Sequence, residues 1–113
     1  MYDETEGKTV LCCANSYEQK YFFNDDFDRL PEEVKQELKI MCVLFTEEAG
    51  GIISLVYDED GNLSFDVMCD EGDLLFDEIG SGLMIRRLQT EKRELLEALE
   101  MFYKVFVLGE EYD

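Results

Sequence analysis

The sequence contains no histidine, and this absence removes several common kinds of active site. Ser-His and Cys-His nucleophile pairs, histidine-metal sites and the most frequent general base all need an imidazole. Pairs of carboxylates remain available because Asp and Glu are abundant, and Asp77-Glu78 beside Ile79 is the best placed of them. A solvated surface pair is the simpler interpretation, so we assign this chain no catalytic residue and expect no cofactor.

Positive charge is scarce: ten Lys and Arg stand against 28 Asp and Glu, which gives a net charge of −18. A chain so acidic repels phosphate groups, so we expect no direct binding to nucleic acid and none to anionic membranes. Solubility is the simplest role for such a surface. The longest fully apolar run, residues 40–45, is far shorter than a membrane span.

The four cysteines lack the spacing of a zinc site or of a disulfide framework. Cys12 and Cys13 are adjacent, which is not a Cys-x-x-Cys knuckle, and Cys42 and Cys69 stand alone. Free thiols in a reducing compartment are therefore expected. The N-terminal residues 1–6 have neither the basic start nor the apolar segment of a secretory signal, so we predict a cytoplasmic location. Because the cysteines lack zinc-site spacing and histidine is absent, we expect no metal.

Residues 51–69 carry the strongest local signal, a β-hairpin. Two β-prone segments flank the turn Asp58-Glu59-Asp60-Gly61-Asn62, and Asp-Gly turns are typical of hairpins. Apolar side chains alternate along both segments, so one face of the hairpin should be buried and the other, with Ser64 and Asp66, wetter. The residues expected on the buried face are Ile53, Leu55, Tyr57, Leu63, Phe65, Val67 and Cys69.

Two further strands are expected near the N-terminus, at residues 8–14 and 17–24, with the turn at Asn15-Ser16. A connector, residues 25–30, follows them. Its apolar side chains, Phe27 and Leu30, are the expected anchors to the core.

The next segment predicts a helix that begins at Pro31 and ends at Gly50-Gly51. Its second half is apolar nearly all round, because Ile40, Val43 and Leu44 widen the apolar stripe. Such a helix is wrapped by protein or by a partner. The stripe itself, at helical spacing, comprises Val34, Leu38, Met41, Cys42 and Phe45.

Residues 83–108 predict one long C-terminal helix, interrupted in its apolar spacing at Lys92 and ended by Gly109. The segment before it, residues 74–79, is either an additional strand or a helical turn capped by Asp73, and the spacing favours the helical turn. The apolar positions of the long helix are Ile85, Leu88, Leu95, Leu99, Phe102 and Phe106.

Two turn motifs have some features of ligand sites. The acidic turn at 58–62 does not have the spacing of a calcium loop, since Val56 and Val67 would occupy the first and twelfth positions. Gly80-Ser81-Gly82 suggests a phosphate cradle, but Ile85 stands where a dinucleotide fingerprint needs glycine. A solvated turn and a packing or hinge glycine pair are the simpler interpretations.

One charge pattern stands out: Arg86, Arg87, Lys92 and Arg93 place four of the ten bases within one short segment. These side chains either neutralise carboxylates of the same chain, such as Glu91, Glu94 or those at 70–73, or form a docking patch for an acidic surface. Another copy of this protein would provide such a surface.

Three segments of the chain are similar to a small acidic bacterial family of unknown function. They read Ile-Met-Cys-Val-Leu-Phe-Thr-Glu-Glu at 40–48, Tyr-Asp-Glu-Asp-Gly-Asn-Leu at 57–63, and Glu-Leu-Leu-Glu-Ala-Leu-Glu-Met-Phe-Tyr-Lys-Val-Phe at 94–106. The likeness extends from about Val10 to Glu111. It implies a free-standing bacterial cytoplasmic domain and carries no activity, ligand or catalytic residue.

These observations predict a single α+β domain over residues 1–113, with flexible ends at 1–7 and 110–113. We expect an antiparallel sheet of four or five strands with two main helices on one face, in the order ββαββα. The leading functional hypothesis is a non-enzymatic protein-interaction domain that forms a homodimer through the C-terminal helix. The alternatives are an acidic decoy that mimics nucleic acid to bind a basic protein, and a small carboxylate- or metal-dependent enzyme.

Overall fold

The computed structural model describes residues 8–109, so the predicted flexible ends, 1–7 and 110–113, lie outside the described residues. The chain has the predicted α+β class and the order ββαββα, with the last helix divided in two. A short 3-10 turn, Asp25–Phe27, precedes the first helix. The elements are β1 (Thr9–Asn15), β2 (Lys20–Phe23), α1 (Glu32–Ala49), β3 (Ile52–Tyr57), β4 (Leu63–Met68), α2 (Glu78–Glu91) and α3 (Arg93–Phe106).

Within residues 8–109 the sheet has four strands in the order β2-β1-β3-β4, and each strand is antiparallel to its neighbours. The predicted hairpin is confirmed as the β3–β4 pair, with Leu55 opposite Phe65. Ile53 and Tyr57 of β3 are fully buried on the same face, whereas Ser64 and Asp66 are exposed. The alternation in the sequence therefore identified the buried face correctly for residues 53–67. Cys69, which was expected to continue that face, is exposed and lies just beyond the end of β4.

Both α1 and α3 lie on that buried face, as predicted. Cys12 is the register partner of Leu55, and its Sγ lies 3.9 Å from the Sγ of Cys42 on α1. At the other end of β3 the ring of Tyr57 stacks on Tyr103 of α3, with 4.2 Å between ring centroids. The Tyr57 hydroxyl donates a hydrogen bond to the backbone carbonyl of Leu99 at 2.8 Å. Burial raises the pKa of Tyr57, so its hydroxyl remains a donor at neutral pH.

The turn between β3 and β4 is closed by its own aspartate. The Asp58 carboxylate accepts hydrogen bonds from the backbone N–H groups of Asn62 and Asp60, both at 2.9 Å, and these bonds lower the pKa of Asp58. Gly61 has a φ of +88°, and a Cβ there would lie 2.9 Å from Cγ of Lys104 on α3. Glycine therefore allows both the turn conformation and the close approach of α3.

The second strand is shorter than predicted: β2 covers Lys20–Phe23, whereas the sequence suggested residues 17–24. The side chain of Asn15 accepts hydrogen bonds from the backbone N–H groups of Tyr17 (2.9 Å) and Glu18 (3.1 Å). These bonds form an Asx-type turn that holds residues 16–19 out of the strand.

Helix α1 matches its prediction closely. It starts after Pro31 and ends at Gly50, whose φ is +80°. The connector anchors, Phe27 and Leu30, are buried as expected. Four residues of the predicted stripe are buried, namely Leu38, Met41, Cys42 and Phe45, and Val34 is half-buried.

The single helix predicted for residues 83–108 is wrong: the chain forms α2 and α3, which meet at Lys92 with φ −107° and ψ 21°. The break allows the two segments to pack on different partners. Leu99 and Tyr103 of α3 join the core of the sheet, while α2 lies beside α1. A straight helix rises about 1.5 Å per residue in one direction, so it could not follow both surfaces.

The segment before α2 also differs from the preferred interpretation. Residues 74–75 form a turn, and the helix begins at Glu78 with Asp77 as its cap in place of Asp73. The Asp77 carboxylate accepts a hydrogen bond from the backbone N–H of Gly80 at 2.8 Å. A Cβ at Gly80 would lie 2.2 Å from a carboxylate oxygen of Asp77, so the glycine serves this close contact.

Candidate interaction groove

Helix α2 packs on α1 and α3 and extends away from the sheet. Of its 14 residues it buries only Ser81. Between α1 and α2 an open groove of about 670 Å³ runs along the surface.

The floor of the groove is apolar. From α1 it receives Ile40 and Leu44, whose side chains are 55% and 50% exposed, together with the buried Met41 and Phe45. From α2 it receives Met84 and Leu88, both half-buried. The sequence indicated that this part of α1 is wrapped by protein or by a partner, yet the described part of this chain leaves Ile40 and Leu44 half uncovered.

The two walls of the groove carry different charges. Lys92, at the end of α2, donates a hydrogen bond from Nζ to Glu37 on α1 at 2.8 Å and so links the walls. Arg87 lines the α2 wall one turn before Glu91. The carboxylates of the α1 wall are those of Glu32, Glu33, Glu37 and Glu48.

The predicted basic patch is divided by the fold. Arg87 and Lys92 line the groove, whereas Arg86 and Arg93 are exposed and are not part of its lining. Across residues 8–109 the ion pairs are Lys35–Asp28 and Lys92–Glu37. The three arginines therefore lack, within this range, the carboxylate partners at 70–73, 91 and 94 that the sequence suggested.

More apolar side chains are exposed along and just before α2. Leu83 is 61% exposed and Ile79 is 78% exposed, one helical turn apart. Leu74 and Leu75, in the preceding turn, are almost fully exposed at 95% and 93%. These side chains add exposed apolar surface along α2 and the turn before it.

A second cleft, of about 710 Å³, lies between the turn of the N-terminal hairpin and the outer side of α1. Its lining is mixed in charge, with Lys20, Lys39 and Glu47. The side-chain oxygen of Asn15, which also lines the cleft, is already bound by the turn. This cleft lacks the continuous apolar floor of the groove.

Two residues named in the sequence analysis have structural roles. Asp77 caps α2, and Cys42 is a core side chain, where its hydrogen bond with Cys12 and its burial raise the pKa of the Cys42 thiol. Over the described range no cluster of three or more Cys, Asp and Glu side chains is placed to hold a metal ion. No described helix is long and apolar enough to cross a bilayer. The acidic-decoy and carboxylate-enzyme hypotheses stay predictions.

The model of a family of unknown function, DUF6145, matches residues 8–111, which is nearly the whole chain. The chain belongs to this family. The match confirms the resemblance seen in the sequence to a family of unknown function. No curated protein and no solved structure matches the chain.

In this DUF6145 member the sequence revealed only part of the groove. The excess of apolar residues on α1 pointed to Ile40 and Leu44, because a stripe wider than one face needs a second neighbour. Met84 and Leu88 and the acidic α1 wall were not recognised as one surface. No local pattern joins residues that are about fifty positions apart, so this surface could be found only after α1 and α2 had been placed side by side.

Proposed function

We propose that this chain is a non-enzymatic protein-interaction domain whose docking surface is the groove between α1 and α2. The occupant is an amphipathic α-helix with an apolar stripe and basic residues along one flank. The observation that carries this proposal is the half-exposed floor formed by Ile40 and Leu44. Grooves of this kind take helices whose anchors recur at i, i+3, i+4 and i+7.

Burial energetics support a helical occupant. Complete burial of an Ile or Leu side chain stabilises by roughly 1.5–3 kcal/mol. Because Ile40 and Leu44 are already half covered, an occupant would gain roughly 1 kcal/mol from each of them. The apolar surface of Met84 and Leu88 on the opposite wall would add to this gain. A small set of anchors of this kind dominates many interfaces.

Charge supports a basic flank on the occupant. The lining contains the carboxylates of Glu32, Glu33, Glu37, Glu48 and Glu91 against Arg87 and Lys92. Lys92 is already paired with Glu37, so most of the acidic wall is free to meet positive side chains. Complementary charge of this kind steers association and fixes the orientation of the partner.

We also propose a cytoplasmic location in a bacterium. Cys12, Cys13, Cys42 and Cys69 are all free thiols, which supports a reducing compartment. The family resemblance of the sequence supports a bacterial origin.

The test is a nuclear magnetic resonance titration of the full chain with two synthetic helical peptides. The first peptide carries leucines at i, i+4 and i+7 with lysines along one flank, and the second replaces those lysines with glutamates. We expect the basic peptide to shift resonances of Ile40, Leu44 and Met84, and the acidic peptide to bind more weakly.

Two variants make the titration specific. Ile40→Glu places a charge on the groove floor and should abolish binding of the basic peptide. Met68→Glu is the matched control, because Met68 has a comparable exposure, 50% against 55% for Ile40, but lies on β4, outside the groove. Shifts scattered over the whole surface, or equal binding of the two peptides, would show that the groove is not the docking surface.

A further inference from the structure

We infer that the occupant of the groove is α2 of a second copy of this chain, in a symmetric dimer in which each copy fills the groove of the other. This inference rests on the proposed function and names the partner. The dimer interface would contain four helices, with the two α2 helices side by side between the two α1 helices. Such an arrangement has a two-fold axis, so the same surface serves on both copies.

Helix α2 itself has the chemistry that the groove requires of an occupant. Leu83 is 61% exposed, and Arg87 follows it by four residues, so both lie on one side of the helix. Arg86 and Arg87 have no ion-pair partner among residues 8–109. This helix therefore combines an uncovered apolar side chain with unneutralised positive charge, in a chain that has ten bases and 28 acids.

The walls of the groove are complementary to each other under a two-fold rotation. The α1 wall begins with Glu32 and Glu33, and the α2 wall contains Arg87. A rotation that places α2 of one copy over the groove of the other brings each Arg87 towards an acidic α1 wall. Leu83 does not line the groove of its own copy, so its exposed surface is free to meet the floor formed by Ile40 and Leu44 of the other copy. One operation therefore satisfies charge and apolar surface together.

The weak support of α2 within one copy points in the same direction. Short helices are marginal in water and gain most of their stability from tertiary packing of an apolar face. Helix α2 has 14 residues and fully buries only Ser81, with Met84, Ile85 and Leu88 half-buried against the core, whereas α1 buries six residues. A second copy in the groove would cover the Leu83 side of α2 and give the helix a second packing surface.

The test measures the mass of the full chain by light scattering after size exclusion, at about 0.15 M salt, where the Debye length is about 8 Å. We expect a species of twice the 13.2 kDa chain mass whose fraction rises between micromolar and millimolar concentration. Two charge-reversal variants are then compared, Arg86→Glu/Arg87→Glu and Glu32→Lys/Glu33→Lys. Each variant alone faces like charges and should lower the association constant by at least about tenfold.

Mixing these two variants provides the decisive measurement. In the mixed dimer one contact retains the original pair of charges, and the other has both signs reversed, so both contacts are attractive again. An equimolar mixture should therefore recover the dimer that neither variant forms. Glu59→Lys/Asp60→Lys is the matched control, because it makes the same charge change at the exposed β3–β4 turn and should not prevent dimerisation.

The outcomes separate this inference from the proposed function. A chain that stays monomeric but still binds the basic peptide through its groove would overturn the second copy as occupant and leave the docking groove in place. A dimer that all three variants leave unchanged, or a mixture that stays monomeric, would also overturn the inference. Circular dichroism of each variant, all at exposed positions, shows that a loss of dimer is not a loss of fold.

Discussion

Helices α1 and α2 are neighbours, yet they relate to the rest of the molecule in opposite ways. Helix α1 lies against β1, β2 and β3 and buries six residues, among them Leu38, Cys42 and Phe45. Helix α2 lies against α1 and α3 and buries Ser81 alone, while Ile79 and Leu83 remain exposed. Both helices contain enough apolar residues to be amphipathic. The difference between them is the surface that lies next to each helix.

This contrast separates side chains that hold the fold from side chains that remain available for a partner. The sheet offers α1 a broad apolar layer, and α1 uses its main stripe on that layer. The surplus apolar residues of α1, Ile40 and Leu44, then meet only the edge of α2. The groove is therefore the region where apolar side chains of α1 stay partly exposed because no other part of the described chain covers them.

The largest expected effect tests α1 directly. Phe45→Ala removes a fully buried ring and should lower the free energy of unfolding by about 3–5 kcal/mol. Leu83→Ala, the matched truncation on α2, should change it by less than about 0.5 kcal/mol at dilute, monomeric concentration. Urea denaturation of both variants measures the difference. Similar losses for the two variants would contradict the contrast between the helices.

A smaller effect on stability is expected at the ion pair that joins the α2–α3 junction to helix α1. Lys92→Ala removes the 2.8 Å pair with Glu37, whose side chains are 34% and 42% exposed. Because solvent screens the pair, the loss should be about 0.2–1 kcal/mol. Faster hydrogen exchange of α2 amides should accompany it, since the pair joins this end of α2 to α1. The control Arg93→Ala, which breaks no ion pair among residues 8–109, should leave α2 exchange unchanged.

The smallest effect concerns the loop that leads into α2, and it depends on pH. The Tyr17 hydroxyl donates to the Asp73 carboxylate and accepts from the backbone N–H of Asp70. The bond to Tyr17 lowers the pKa of Asp73. The stability that this bond gives the folded chain is therefore present above the ordinary aspartate pKa of about 3.9, and it is lost as the pH falls through the lowered pKa. The same bond raises the pKa of Tyr17, so the contribution is also lost as the pH rises through that raised pKa.

Thermal unfolding of Tyr17→Phe and of the original chain across this range provides the measurement. The difference in melting temperature should be largest between about pH 4 and pH 10 and should vanish towards both ends. Asp66→Asn is the control, because Asp66 is an exposed aspartate on β4 that is not among the groups acting on Tyr17, and it should leave the pH profile unchanged. A difference that stays constant from acid to alkali would show that the bond does not act through these two groups.

Elements with a strong local pattern were predictable in detail. Proline at 31, glycine at 50 and the alternation along residues 52–68 reproduced the bounds of α1, β3 and β4 within a few residues. The errors occurred where the pattern was compatible with two structures. Residues 83–108 have a helical periodicity with one interruption, at Lys92. That interruption is compatible with one continuous helix and also with the break that lets α3 dock beside Tyr57. The capping aspartate was misassigned for a similar reason, since Asp73 and Asp77 offer the same side chain at the start of a plausible helix.

The sequence indicated the candidate groove only as an excess of apolar residues on α1 and of basic residues in one segment. Ile40 and Leu44 made the apolar stripe of α1 wider than one helical face. Positive charge was concentrated in one short segment of an otherwise acidic chain, at Arg86, Arg87, Lys92 and Arg93. Neither observation indicates that α1 and α2 lie side by side, or that Lys92 pairs with Glu37. Those facts depend on the distance between segments that are far apart along the chain.

Neighbouring residues along the chain are enough to specify the class of the fold, the β3–β4 turn, the start and end of α1, and the acidic surface. These properties follow from the preferences of consecutive residues and from the period of their side chains. The tertiary structure decided that the C-terminal helix divides at Lys92, that α2 rests on α1, and that an apolar groove opens between them. Those outcomes depend on which apolar faces meet, and a periodic pattern identifies a face without identifying its partner.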